Sequence, residues 1–362
     1  MATLARRSLL PAFGSLTMNV RFMGEQATIT VPAIVSKVSD LVGRTPLFEL
    51  IRGANGARIL LKLESTNPTG SAKIRMARQM LDEAEQDGSL RPAGHVIEST
   101  SGNTGMGLAL LSAERGYRFT AIVDSHASKD KLRAMQAFGA KLVCVSDGDA
   151  IATADRDALA KRMAADDPDG IWTEQHNNPA NGNGYRGLAH ELRDVLGDRI
   201  DFLVGSVGTG GSLFGTAREL LATGPAPRVI GVEPVGSIVF GGEGGSYYQS
   251  GTGTPPGAEI GALVDYALLD EGYKVTDAAA FNTARYIARK KSLLVGGSAG
   301  SVIWHALKMF DSLPAGATLV VLVCDGGEKY LDTVFDDDWM RARNLLDESI
   351  ARELESIFSR AA

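Results

Sequence analysis

The sequence predicts an α/β fold with largely parallel sheets. Two observations predict it. From Leu60 onward short apolar runs alternate with longer amphipathic stretches, and Gly-rich turns stand where a run gives way to a helical stretch. Residues 59–61, 119–123, 141–145, 202–204, 228–232 and 319–323 read as buried strands, since each is a short, nearly continuous apolar run. Residues 74–87, 105–114, 129–138, 187–196, 215–221 and 278–289 read as the helices between them, and 347–360 as an amphipathic terminal helix. Such alternation calls for right-handed crossovers between parallel strands. Residues 177–185, with their Asn, Pro and Gly, break the alternation and mark a domain junction. Residues 241–257 form a polar, Gly-rich loop suited to lie over a ligand cleft.

Composition bounds the function. At 362 residues the chain predicts one large or two moderate domains, and 44% hydrophobic content supplies a sizeable core. A net charge of −6 argues against nucleic acid or an anionic membrane as the main partner. No apolar run approaches the roughly 20 residues of a membrane span. Cys144 and Cys324 give neither a disulfide framework nor a metal-ligand spacing, so the default setting is reducing and cytoplasmic, with no metal. Arg6, Arg7 and Arg21 precede the first acid, Glu25. That pattern fits a transit peptide, an unstructured leader, or a true start at Met18.

In open α/β sheets ligands bind beyond the carboxyl ends of strands, where loops meet helix N-termini. Four loops there carry chemistry. Ser206–Ser212 follows a strand and opens a helix; its glycines admit close approach of an anion to backbone N–H groups, with Thr209 and Ser212 adding hydroxyls. A tight turn is the bland alternative, and the spacing fits neither a Walker loop nor a dinucleotide turn. Thr100-Ser101-Gly102-Asn103-Thr104-Gly105 feeds a helix and offers donors for a carboxylate, although one of its residues would serve as an N-cap. Asn67–Arg75 places Lys73 near a helix start, where the dipole and an apolar pocket would lower the amine's pKa, as Schiff-base chemistry requires. Gly296–Ser301 presents Ser298 in a turn built for close approach, of a ligand or of a neighbouring helix.

Together these motifs resemble the cysteine synthase family of fold-type-II pyridoxal 5′-phosphate enzymes, from about Leu41 to about Trp339. Gly43-Arg44-Thr45-Pro46-Leu47 matches the family's entry motif and Asn67-Pro68-x-Gly70-Ser71-x-Lys73-x-Arg75 its Schiff-base motif. Thr100–Gly105 matches the substrate loop, Gly208–Ser212 the cofactor-phosphate loop and Gly297–Gly300 the segment facing the pyridine nitrogen. The resemblance implies two open twisted sheets in a tryptophan synthase β-like arrangement, with the cofactor in the cleft between them. It implies an imine on Lys73, which also shuttles the substrate's α-proton. Asn103 would meet the cofactor's phenolic oxygen; Gly208, Thr209, Gly210, Gly211 and Ser212 its phosphate; and Ser298 its ring nitrogen. Thr100, Ser101, Gly102, Thr104 and Gln175 would bind the substrate carboxylate. The implied reaction is β-replacement on O-phospho-L-serine or O-acetyl-L-serine through an α-aminoacrylate, in a ping-pong cycle.

The implied organisation is an N-terminal extension over 1–38 and a smaller mobile domain over 61–184. A larger domain spans 39–60 with 185–345, a C-terminal helix spans 346–362, and the whole forms a homodimer. Two departures stand out: Ile74 replaces the acid many relatives carry, and Cys324–Leu331 lacks a serine before its glycine, with Cys324 reading as a buried strand residue. Residues 236–241 and 330–339 resemble the siderophore branch, the N-(2-amino-2-carboxyethyl)-L-glutamate synthases. In that branch L-glutamate is the nucleophile on the way to 2,3-diaminopropionate. Lys129, Lys131, Arg133 and Arg186 are candidates to face a phosphate leaving group. The alternatives are a sulfhydrylase making cysteine and a non-catalytic binding relative.

Overall fold

The computed structural model describes residues 17–22, 25–30, 34–124, 128–145 and 153–361. The Arg6 and Arg7 leader lies outside the described residues. Twelve strands are described: β1 (Thr17–Phe22), β2 (Glu25–Thr30), β3 (Leu47–Arg52), β4 (Arg58–Leu63), β5 (His95–Ser99), β6 (Arg118–Val123), β7 (Lys141–Cys144), β8 (Gly170–Trp172), β9 (Phe202–Ser206), β10 (Arg228–Pro234), β11 (Glu271–Val275) and β12 (Thr318–Val323). The helices are α1 (Lys73–Gln86), α2 (Asn103–Arg115), α3 (Lys129–Ala137), α4 (Thr153–Asp166), α5 (Pro179–Asn183), α6 (Arg186–Leu196), α7 (Gly211–Thr223), α8 (Asp277–Lys291), α9 (Gly297–Met309), α10 (Asp337–Arg341) and α11 (Glu348–Ser359).

Two main sheets result. The larger has the order β11-β10-β9-β12-β4-β3, parallel except for β3 against β4. The smaller has the order β7-β6-β5-β8, parallel throughout. β1 and β2 form a separate antiparallel hairpin. The α/β expectation of largely parallel sheets is therefore met. β4 runs through residue 61, where a domain boundary was expected, as an inner strand of the larger sheet.

The continuous apolar runs have a direct cause. In β12 every residue is buried, with Val320 and Leu322 entering one apolar cluster and Leu319, Val321 and Val323 another. Period-2 alternation delivers side chains to both faces, and both faces are covered by helices. β5 divides in the same way, Val96 to one side and Ile97 to the other. The first cluster runs from Phe119 and Ala121 through Ile74, Met76 and Leu108 to Leu203 and Val320, so α1 and α2 join the two sheets through shared packing. Residues 177–185 contain the short helix α5, opened by Asn178, whose side chain accepts from the Ala180 N–H, with Pro179 in the first turn.

Candidate active site

Between the sheets lies a cavity of about 1160 Å³, lined from the carboxyl ends of β5, β9 and β12 and from the first turns of α1, α2 and α9. Lys73 is the first residue of α1. Its loop is stitched to the end of β12: the Ala72 N–H donates to the Cys324 carbonyl at 2.8 Å and Gly326 N–H to the Gly70 carbonyl at 3.3 Å. Ser71 Oγ accepts from the Lys73 N–H at 3.0 Å. Burial lowers the pKa of the Lys73 amine, with Cys324 and Asp325 opposing that shift.

The remainder of that loop fixes α1 from below. Arg75 is buried and donates to Glu64 at 2.6 and 2.9 Å and to Glu191 at 2.8 and 2.9 Å. Thr45 donates its hydroxyl to Glu64 at 2.6 Å, and Asn67 accepts from the Gly43 N–H at 2.9 Å. The 43–47 and 67–75 segments thus meet in one buried charge network, with Lys62 bonded to Glu191 at 2.6 Å.

The glycine loop after β9 is closed to side chains. A Cβ on Gly208 would meet the Gly251 carbonyl oxygen at 3.0 Å, on Gly210 the Leu263 carbonyl oxygen at 2.8 Å, and on Gly211 Asn181 Oδ1 at 2.0 Å. Gly210 also sits at φ +88°, in the left-handed region. The N–H groups of the first turn of α7 have no helical acceptor, and the positive end of a 13-residue helix points the same way. Lys73 Nζ stands 3.5 Å from Thr209 Oγ1, which joins this loop to the lysine. Uncharged donors, a helix terminus and an adjacent amine fit the phosphate and aldehyde ends of pyridoxal 5′-phosphate.

The cavity wall includes Lys73, Thr100, Ser101, Gly102, Asn103 and Thr104; Gln175, Gly208, Thr209 and Ser298 complete the expected residues found on it. Gly210, Gly211 and Ser212 lie behind it, Ser212 Oγ being 4.0 Å from Cys324 Sγ. Thr104 donates to Gln175 Oε1 at 2.7 Å, and Gln175 donates to the Ser99 carbonyl at 3.1 Å. Beneath them Glu98 accepts from Thr173 at 2.5 Å and from the Gln175 N–H at 3.2 Å; burial pushes its carboxyl up to about 7. Ser101 donates to Asp124 at 2.8 Å, and Arg156 reaches the same carboxylate at 2.7 Å. The glycines of the fourth loop serve packing: a Cβ on Gly300 would meet the Ala280 carbonyl oxygen of α8 at 2.0 Å.

One wall was not foreseen. Asp325, buried just past β12, accepts from Asn103 Nδ2 at 2.9 Å and from the Tyr330 hydroxyl at 2.6 Å. Lys329 donates to Asn103 Oδ1 and to the Gly70 carbonyl, each at 2.9 Å. Lys131 donates to the Tyr330 oxygen at 3.2 Å with its ammonium 4.6 Å from that ring's centroid. Among the described residues neither Lys131 nor Lys329 makes an ion pair. Burial lowers the Lys131 pKa and pushes the Lys329 ammonium down to about 8.

Several expectations need correction. Of the four candidates to face a leaving group, Lys131 is buried in the cavity wall and Lys129 is an exposed residue on its lining. Arg133 is exposed beside Asp130 and Arg186 beside Glu219, and neither lines the cavity. Cys324 lies one residue past β12 and lines the cavity; burial pushes its thiol up to about 11, which keeps it neutral. Residues 236–241 wrap the buried Glu233, which accepts from the Val239 and Phe240 N–H groups at 3.0 Å. Of the expected loop over the cleft, Tyr248, Ser250–Pro255 and Gly257 reach the cavity wall. The missed residues carried a signal. Glu64, Glu98, Glu233 and Asp325 are each an acid ending an apolar strand run.

Among the described residues no group of His, Cys, Asp or Glu is arranged to hold a metal, and no helix is long and apolar enough to cross a membrane. The family described as "PALP: Pyridoxal-phosphate dependent enzyme" matches residues 38–325. A Sinorhizobium fredii protein named "Putative cysteine synthase" is 50% identical over 328 residues, covering 90% of this chain and 98% of that one. An N-(2-amino-2-carboxyethyl)-L-glutamate synthase of Ralstonia nicotianae is 35% identical over 314 residues, covering 85% and 91%. The crystal structure of an O-acetylserine dependent cystathionine beta-synthase from Helicobacter pylori superposes with a TM-score of 0.77 at 32% identity, over 83% of this chain and 99% of that one.

Proposed function

The chain belongs to the family of pyridoxal-phosphate dependent enzymes and is a cysteine synthase-like enzyme of the β-replacement type; from that premise we propose that it joins an activated L-serine to an amino-acid amine. When bound, pyridoxal 5′-phosphate supplies an electron sink that acidifies the substrate's α-carbon and lets a β-substituent depart. The chain's residues do the rest. Lys73 attaches the cofactor and carries the α-proton off and back. Its burial keeps part of the amine population uncharged for that task. Gly208–Ser212 hold the phosphate through backbone N–H groups and two hydroxyls. Ser298 offers the ring nitrogen a neutral hydroxyl, which leaves the sink moderate and favours prompt β-loss. Asn103 turns one amide hydrogen to the phenolic oxygen while its other groups are held by Asp325 and Lys329. Thr100, Ser101, Gly102, Thr104 and Gln175 receive the substrate carboxylate.

The observation that carries the finer reading is the pair of wall ammoniums, Lys131 and Lys329, held by neutral oxygens and by no carboxylate among the described residues. Asp325, which touches neither ammonium directly, offsets part of the cost of burying them, and an acidic ligand bonded to them would offset more. O-phospho-L-serine as donor and L-glutamate as nucleophile each bring such an anion. The product would be N-(2-amino-2-carboxyethyl)-L-glutamate, a precursor for 2,3-diaminopropionate and siderophore-type metabolism, made by a cytoplasmic homodimer. In this reading the smaller mobile unit spans β5 to β8, with its boundary moved past Leu63, the end of β4.

A second reading, an O-acetylserine or O-phosphoserine sulfhydrylase, is favoured by the 50% identical relative. The test supplies L-glutamate and sulfide together with each serine ester and identifies products by mass. A glutamate adduct from O-phospho-L-serine is expected. Cysteine from sulfide with no adduct from glutamate would overturn the amine reading.

A further inference from the structure

The segment after β8 carries a histidine that no reading of the sequence singled out. His176 follows Gln175 and lines the cavity together with Lys73. Its backbone is fixed on both sides. Gln175 is held by Glu98, Ser99 and Thr104. Asn177 donates its N–H to the Glu174 carbonyl at 3.0 Å and accepts from the Ala262 N–H at 3.1 Å. The imidazole is half-buried and makes no hydrogen bond among the described residues. A partly buried imidazole with no protein partner, held on a rigid segment, is free to bond a ligand.

Chemistry supplies the ligand. An amino-acid nucleophile reaches the cleft as an ammonium, R–NH₃⁺, which has no lone pair to attack with. Lys73 is already committed to the cofactor and the α-proton, so a second acceptor is needed. We propose that His176 is the general base that takes this proton, so that the site is built for an amine nucleophile. This rests on the amine reading above. The proton moves from nitrogen to the imidazole as the freed lone pair forms the N–Cβ bond. The proton on Lys73 returns to the α-carbon, and the imidazolium passes its proton to water. The Cβ–O bond breaks as the leaving group departs; phosphate takes up the proton given to water and leaves as hydrogen phosphate, whereas acetate leaves with one proton released, and neither case needs an oxidant or reductant.

The surroundings suit a neutral base. Burial lowers the His176 pKa first; Asp157 on α4 opposes that, while Lys73 on α1 and Arg156 on α4 add to it. Arg156 is itself bonded to Asp124 at 2.7 Å. Each of these influences but Asp157 favours the neutral ring, the state a base must begin from.

The test uses purified holoenzyme and His176→Asn and His176→Phe variants. Stopped-flow absorbance follows the bound cofactor as the serine ester is added without nucleophile, and then as nucleophile is added. The first change should keep its rate in both variants. The second should slow about 100-fold with L-glutamate, within the range a general base contributes, and less than about threefold with sulfide, which is already largely ionised. The acid limb of the wild-type amine rate should fall below the ordinary histidine range and vanish in His176→Asn. Equal slowing with both nucleophiles would make His176 merely structural, and no slowing with either would also overturn the proposal. Absence of the first spectral change in the wild type would instead overturn the β-replacement reading, whatever His176 does.

Discussion

Replacing Arg75 by methionine should strand a carboxylate in the core and weaken the base on which Lys73 stands. Arg75 is 3% exposed and Glu64 0%. Around them Arg75 and Lys62 balance Glu64 and Glu191, all linked by contacts of 2.6–2.9 Å. Methionine fills similar volume but leaves two carboxylates facing one ammonium. Breaking a buried pair from one side costs about 3–5 kcal/mol, far more than a surface pair is worth. Urea unfolding of Arg75→Met, followed by far-ultraviolet circular dichroism, should show a loss of that size. Adding Glu64→Gln removes the stranded charge and should return part of the loss. The same network predicts an acid limb. Its neighbours Arg75 and Lys62 outweigh burial and hold Glu191 at about 2 against an ordinary 4.5. A depressed carboxyl contributes stability that is complete above its unfolded value and disappears as pH falls through the folded one. The share of wild-type stability that Glu191 supplies should therefore fall as pH drops from 4.5 towards 2, and that fall should be smaller in Arg75→Met, where Lys62 alone faces the carboxylate. A loss under about 1 kcal/mol in Arg75→Met, or a double variant less stable than the single one, would refute this account of the network.

Three further outcomes follow from the site. Glu98 is raised by burial to about 7, so its contribution is full below its unfolded value of 4.5 and is lost as pH rises through 7; Glu98→Gln, which cannot titrate, should flatten the urea stability profile across that window. Gly211→Ala would drive a Cβ to 2.0 Å from Asn181 Oδ1, so titration of apoprotein with cofactor should show affinity reduced at least about tenfold, and unchanged affinity would count against the phosphate loop. Lys329, pushed down to about 8, should lose its proton as pH rises past 8 and with it the charge that strengthens its bond to Asn103 Oδ1; initial rates should fall on that limb, and Lys329→Arg, which keeps its charge, should move the limb to higher pH.

Six of the twelve described strands and most helices were legible, the strands chiefly where burial on both faces leaves a continuous apolar run. β12 shows this in all six of its positions. β1, β2, β3, β5, β8 and β11 were not among the runs read as strands. β3 pairs antiparallel at the sheet edge with a shift between Glu49 and Ile51, and β8 has three half-buried residues, so neither presents a clean period. α4 was missed because its apolar and charged residues are spread around the helix without a face. Lys73 and the glycine loops were legible because a left-handed φ or a carbonyl at 2.8 Å leaves no residue but glycine. The Asp325–Tyr330–Lys131 wall joins residues 199 positions apart, a separation that no local spacing records. His176 carried no motif at all, because its role depends on what it does not touch.

The buried acids explain why the loops hold still enough for chemistry. Glu64, Glu98, Glu233 and Asp325 each sit at or just past the carboxyl end of a parallel strand, each at most 2% exposed. A carboxylate accepts several hydrogen bonds at once, so one such side chain can tie down donors from separate segments. Glu64 gathers Thr45, Asn67 and Arg75 beneath the Lys73 loop. Glu98 gathers Thr173 and the Gln175 backbone. Glu233 gathers Val239, Phe240 and Lys274, and Asp325 gathers Asn103 and Tyr330. Three of the four thereby fix residues on the cavity wall or the loop bearing Lys73. A neutral amide in their place accepts fewer bonds and offers an unwanted donor, so the segments they join should loosen while the sheets persist.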